Sequence, residues 1–236
     1  MSAVPWVPVA ALREALHVGW AARDAVNPTL ECVNLQTRER HLVAVATDGV
    51  SIARLAIPLG GRVAKGALTL PLHRLAEVKR TLAAETSDIA LTNGVGPLAG
   101  MAWDGSDYPA VDKIDRFFGD REGDIALTVR RKDLLSGLGS MLRGATGVRI
   151  QVRSRAVELR ETAGEHFRPI AIAARASRAG GIYINRQFLA RALRWLRGEF
   201  VSIHFGATKE SKFETPIILF GHGDGSRAVA IMELRP

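Results

Sequence analysis

Apolar and polar positions along the chain fall into four similar stretches. Each opens on a short strand-like run and continues into an apolar stripe of helical period: "WVPVAALREAL", "LTLPLHRLAEVKRTL", "IALTVRRKDLLSGLGSML" and "IYINRQFLARALRWL". Anchored on Leu12, Leu75, Leu135 and Leu189, they recur at spacings of 63, 60 and 54 residues. Strand-like pieces follow every helix. After the first come "LECVNLQ", "LVAVATDG" and "VSIARLAIPL", and after the second "SDIALTN" and "PLAGMAW". After the third come "GVRIQVR", "RAVELRE" and "FRPIAIAARA", and after the fourth "FVSIHFG", "TPIILFG" and "RAVAIMEL". The pattern predicts a βαβββ unit four times over, α+β in class and mostly antiparallel, with turns at Thr37–Arg40, Asn93–Gly96 and Gly221–Ser226. "DYPAVDKIDRFFGDREGD", rich in charge, Pro and Gly, predicts the break between two halves, 1–118 and 119–236.

The stretch Leu42–Leu59, "LVAVATDGVSIARLAIPL", reads as two apolar strands around a Thr47-Asp48-Gly49 elbow. Asp-Gly tolerates the positive φ that a hairpin turn needs. A surface hairpin alternates more than this one does, so the apolar walls suggest the side of a site.

Charge enters through the helices. At 100° per residue, Arg186, Arg194 and Arg197 fall within an arc of about 80°, with Arg191 at its edge. Phe188, Leu189, Ala192, Leu193 and Leu196 take the other side. The second helix carries Arg74, Lys79 and Arg80, the third Arg131, Lys132 and Arg143, and the first, more weakly, Arg13 and Arg23. The whole chain has a formal net charge of +8. That balance favours a polyanion, nucleic acid or a membrane surface, and four equivalent helices leaning basic predict a shared cationic face that would meet phosphates by counterion release, without reading bases.

Composition closes off several classes. With 236 residues and 47% hydrophobic content the chain supports a real core and is no disordered segment. No apolar run reaches the ~18 residues of a membrane span. The N-terminus lacks the basic start and unbroken apolar stretch of a signal peptide. Cys32, the one cysteine, excludes an internal disulfide and fits a cytoplasmic protein. The six histidines show no metal-site spacing, and no GxSxG or phosphate-loop lysine motif is present. A hydrolase or nuclease using Asp104, Asp107 and Asp112 is a remote third reading, which would require metal-dependent cleavage abolished by changing those aspartates. The expectation is a non-enzyme without cofactor or metal.

"VATDGVSIAR", "ALTLPLHRLAEVKRTL" and "WDGSDYPAVDKI", in that order, resemble the middle domain of bacterial DNA polymerase III beta sliding clamps. "INRQFLARALRWLRGEFVSIHF" and the closing "RAVAIMELRP" resemble the last domain of that family. The resemblance spans essentially the whole chain and lacks the first clamp domain. It implies a DNA-clamp fold with helices on one basic face and sheets on the other, a ring around duplex DNA, and a processivity role for polymerase, loader or repair proteins. It also implies a hydrophobic peptide-binding pocket, whose wall here would be Leu30, Thr47, Gly49, Ile52, Pro109, Ile114, Ala230, Met232 and Leu234. Two positions depart from the family: Val50-Ser51 replaces the common His-Arg, and the tail reads Met232-Glu233-Leu234-Arg235-Pro236. Two domains per chain would need three copies for a six-domain ring, so a homotrimer is expected. The alternative is a clamp-fold module that binds clamp-motif peptides or a full-length clamp and closes no ring.

Overall fold

The structure, a computed structural model, describes residues 4–92, 94, 96–103, 108, 109, 111, 114, 118, 124–141, 146–153, 155–161, 169–206, 217–221 and 226–232. The chain divides into two compact units, Met1–Val111 and Asp112–Pro236, so the break lies a few residues before the one read from the sequence.

Unit 1 runs β1 (Trp6–Val7), α1 (Val9–Ala15), β2 (Cys32–Arg38), β3 (His41–Thr47), β4 (Ser51–Pro58), β5 (Gly66–Pro71), α2 (Leu75–Ala84) and β6 (Ile89–Ala90). Pro8 precedes α1 with φ −54°, a value preset for helix entry, and its carbonyl accepts from Leu12 N at 3.1 Å. The α1 stripe Val9, Ala11, Leu12 and Ala15 is buried and continues through a 3₁₀ segment, Leu16–Ala22. Strands β5-β2-β3-β4 form an antiparallel sheet, and among the described residues β1 pairs with β6 alone. β3 is buried along six of its seven residues, which is why it reads as a continuous apolar run and not as an alternation.

Unit 2 runs β7 (Ile125–Arg130), α3 (Arg131–Ser140), β8 (Gly147–Val152), β9 (Ala156–Glu161), β10 (Ile170–Ala176), β11 (Gly180–Asn185), α4 (Arg186–Trp195), β12 (Phe200–Phe205), β13 (Ile217–Gly221) and β14 (Arg227–Ile231). Its antiparallel order is β11-β8-β9-β10-β7-β12-β13-β14. The two repeats exchange leading strands: β11 pairs with β8, and β7 pairs with β12. β10 ties the halves together, pairing with β9 through Ile170–Ala173 and with β7 through Ala174–Ala176. Helix α3 packs on β7 and β10, and α4 on β11 and β14. The approach at α3 is close: a Cβ on Gly137 would stand 2.9 Å from the Cδ1 atoms of Ile172 and Leu159. At the start of α4, Asn185 accepts from Gln187 N (2.8 Å) and Phe188 N (3.2 Å), satisfying two orphan donors.

One sequence expectation is corrected. Three of the four repeats carry three strands after the helix, and in each the third strand ends 36 residues past the helical segment (22 to 58, 140 to 176, 195 to 231). After α2 the described residues up to Trp103 hold β6 and an isolated bridge between Trp103 and Thr69. The expected strand "PLAGMAW" is mostly turn. Gly96 (φ +86°) and Gly100 (φ +71°) take left-handed conformations that an extended strand excludes.

Cys32 is buried, and its Sγ donates to Thr29 O at 3.3 Å. Desolvation pushes its pKa from 9.0 up to about 12. The thiol therefore stays protonated and shielded, and a thiol reagent at pH 8 should label the native chain far more slowly than the denatured one. Because the folded pKa is the higher, stability is constant below about 9 and falls between about 9 and about 12 as the unfolded chain alone loses its proton. Rapid native labelling at pH 8 would contradict this.

Candidate nucleic-acid interface and peptide-binding wall

The cations expected on the helices divide into two groups. Lys79 and Arg80 on α2, and Lys132 on α3 with Arg194 on α4, are exposed. Arg186 and Arg191 on α4 are half-buried. Arg197 and Arg23 are exposed but lie beyond their helices, so the helical arc drawn from the sequence does not extend to Arg197. Arg143 lies outside the described residues.

The second group is committed to backbone. Arg13 donates from Nε and Nη2 to Leu82 O, and from Nη2 to Glu85 O at 3.1 Å. Arg131 donates from Nε to Gly198 O at 2.9 Å and from Nη1 to Leu193 O at 3.1 Å. The same device thus appears in both units: an arginine of the first helix neutralises the carbonyl end of the second, where the helix dipole is negative. Arg74 donates from Nη1 to Gly100 O at 3.0 Å. These guanidiniums hold the fold first.

A further arginine at the α4 end escapes the sequence reading. Arg227, 5% exposed at the start of β14, donates from Nη1 to Trp195 O at 2.7 Å and lies 5.0 Å from the centroid of the Trp195 ring. Its only sequence signal is an arginine opening an otherwise apolar strand, "RAVAI".

Dividing the charge by unit sharpens the electrostatics. Unit 1 carries ten Lys/Arg against ten Asp/Glu, whereas unit 2 carries 22 against 14, so the whole +8 resides in unit 2. Attraction for a polyanion is therefore unequal along the chain.

The elbow after β3 is closed upon itself. Thr47 Oγ1 donates to Ser51 O (2.8 Å) and accepts from Gly49 N (3.0 Å). Asp48 Oδ1 accepts from Val50 N (2.9 Å) and Ser51 N (2.6 Å). The threonine is there because a buried, tight turn needs one hydroxyl that both gives and takes. Gly49 has φ +93°, and a Cβ there would lie 3.6 Å from Leu30 Cδ1. Thr47 pairs in register with the half-buried Ile52, and Leu30 lies beside Gly49 at the turn. Pro109 of unit 1 is exposed. In unit 2, Ile114 and Ala230 are buried and Met232 is half-buried, while Leu234 lies outside the described residues. Buried Tyr108 donates to Val45 O at 3.3 Å, fixing the chain that leads to Pro109; burial and the neighbouring Cys32 push its pKa up.

Among the described residues no three His, Cys, Asp or Glu side chains gather as a metal site. Asp104, Asp107 and Asp112 lie outside the described residues. No helix among those described is long and apolar enough to cross a membrane.

No family model matches the chain and no curated protein matches it. Solved structures do. The DNA polymerase III beta subunit of Thermotoga maritima superposes with a TM-score of 0.81 at 16% identity, covering 100% of this chain and 66% of that one. The DNA polymerase III subunit beta of Pseudomonas aeruginosa gives 0.79 at 17% identity, covering 100% and 66%. Caulobacter crescentus pol III beta gives 0.78 at 17%, covering 100% and 67%. The chain spans about two thirds of the length of the structures it matches, and over that span it has the DNA polymerase III beta sliding-clamp fold.

Proposed function

We propose that the chain is a cytoplasmic, non-enzymatic sliding-clamp protein that holds duplex DNA against the helix-bearing side of its units. It takes partner proteins as short apolar peptides on the Leu30–Ile52 wall. The observation that carries this reading is the match of the full chain to DNA polymerase III beta subunits at TM-scores near 0.8. The exposed cations Lys79, Arg80, Lys132 and Arg194 supply sequence-independent phosphate contacts. Partners of this kind are polymerase, loader or repair proteins, and a homotrimer supplies six domains.

A second reading has its own support. The chain covers 66–67% of the clamp structures it matches, so part of their fold has no counterpart in these residues. A chain of that kind works as a peptide- or clamp-binding module without closing a ring. Light scattering with and without nicked circular DNA decides between them. The clamp reading expects a trimer that stays on the circle and is released when the circle is cut. A monomer whose DNA binding ignores topology establishes the second reading.

A further inference from the structure

Unit 2 carries a second cationic surface, on the side of its sheet that faces away from the helices. Leu159, Ile170 and Ile172 point at Gly137 of α3. Alternation along a strand then sends Arg160 and Glu158 of β9 to the opposite face. Arg149 of β8 stands directly across from Arg160 in register, and both are exposed. Like charges placed opposite each other on a sheet repel, so this pair works against the fold unless an anion neutralises it. Exposed Arg153, Arg155 and Arg175 extend the same region.

The local acid does not balance them. Glu158 accepts from Arg160 at 2.8 Å and pairs with Arg153 at 3.1 Å, and the Arg160 hydrogen bond holds its carboxyl below the usual range. One carboxylate is thus shared while Arg149, Arg155 and Arg175 have no ion pair among the described residues. Arg155 and Arg175 also line a groove of about 1050 Å³ where β10 leaves β9 for β7, together with Arg130, Phe200 and a single acid, Asp133. Two aromatic rings accompany the cations. Tyr183 lies across from Arg149 in register, and Phe200, 37% exposed, has the Arg130 guanidinium 5.9 Å from its centroid.

We propose that this arginine face of unit 2 binds single-stranded nucleic acid, with phosphates on Arg149, Arg155, Arg160 and Arg175 and bases against Tyr183 and Phe200. Guanidiniums and aromatic rings on one sheet face, with a groove at its Arg155–Arg175 end, are what an unpaired strand requires, because its backbone needs cations and its exposed bases need stacking partners. An acidic peptide would use the cations and leave the rings idle. Arg149, Arg160 and Arg175 lie on the face away from the helices, and the groove meets α3 at Asp133, so one chain can hold duplex and unpaired strand at once.

The test is anisotropy of a labelled 20-mer of dT and of a 20-base-pair duplex, titrated with the full chain across a salt series. The variant Arg149→Gln/Arg160→Gln/Arg175→Gln should lose about 100-fold in dT affinity near 0.1 M salt, with its log–log salt slope smaller by about 2. Its thermal midpoint should hold or rise, since opposed charges are removed. A helix-side variant, Lys132→Gln/Arg194→Gln, should weaken the duplex and leave the dT slope unchanged. Equal dT affinity and slope in the triple variant overturn the proposal, as does a helix-side variant that abolishes dT binding. So does a wild-type chain that binds a polyglutamate peptide but not dT. Retention on circular duplex is read separately, so the clamp reading stands or falls on its own.

Discussion

Replacing Arg227 by alanine lowers the stability of the protein by about 3 kcal/mol, the loss expected when a buried charged hydrogen bond and a desolvated cation–π interaction disappear together. The carbonyl of Trp195 loses the donor that reaches it at 2.7 Å, and the volume left beside the indole adds a cavity. With a unit of this size the thermal midpoint falls by roughly 10 °C. Arg227→Lys retains the charge but not the planar fork that serves a carbonyl and a ring at once, so it recovers less than half. Arg130→Ala is the contrast. That side chain pairs with Glu199 at 3.0 Å in the open, with both partners more than half exposed, and its removal costs less than about 1 kcal/mol. Thermal and urea unfolding of the three variants measure this. An Arg227→Ala midpoint within about 2 °C of the parent would mean that the end of α4 is held by Arg131 alone.

The α4 end also explains what a sequence reading can and cannot reach. Strand-to-helix junctions are legible at all four repeats because they combine a β-branched run with a stripe of period 3.6, both local signals. Asn185 as the cap of α4, and the β3–β4 elbow, belong to the same local class. Arg131 and Arg13 read as DNA contacts, since a cation on a helix looks the same whether it faces solvent or a carbonyl 62 or 69 positions away. That distinction is tertiary. The second repeat misleads for another reason: "PLAGMAW" has strand-like composition, but residues 97–101 form a turn, and among the described residues only the Trp103–Thr69 bridge is left of the expected strand. The glycines in and before that run are visible in the sequence, but the sign of φ that the fold imposes on Gly96 and Gly100 is not. The arginines of "VRIQVRSRAVELRE" are equally visible. Only the β8–β9 register, which puts Arg149 opposite Arg160, turns them from scattered charges into one surface.

The helix-side cations should contribute unequally to duplex binding. Removing one phosphate-binding cation reduces the salt slope by about 0.9 and costs roughly eightfold in affinity at 0.1 M salt. Lys132→Gln/Arg194→Gln, both in the unit that holds the entire +8, should therefore lose about 60-fold in duplex affinity and about 2 in slope. Lys79→Gln/Arg80→Gln should lose less than about tenfold. On α2, Glu77 stands one turn before Arg80 and shares its field, and unit 1 as a whole is neutral. Helix α4 carries no acid between Arg186 and Trp195, so Arg194 presents an undiluted charge. Arg13 and Arg131 are unsuitable for this comparison, because removing them loosens the helices they clamp. Fluorescence anisotropy on a blunt duplex, from about 50 to about 300 mM salt, reads both slopes. Equal losses from the two pairs would place DNA symmetrically against both units. A loss confined to the α2 pair would reverse the assignment and make unit 1 the part that grips.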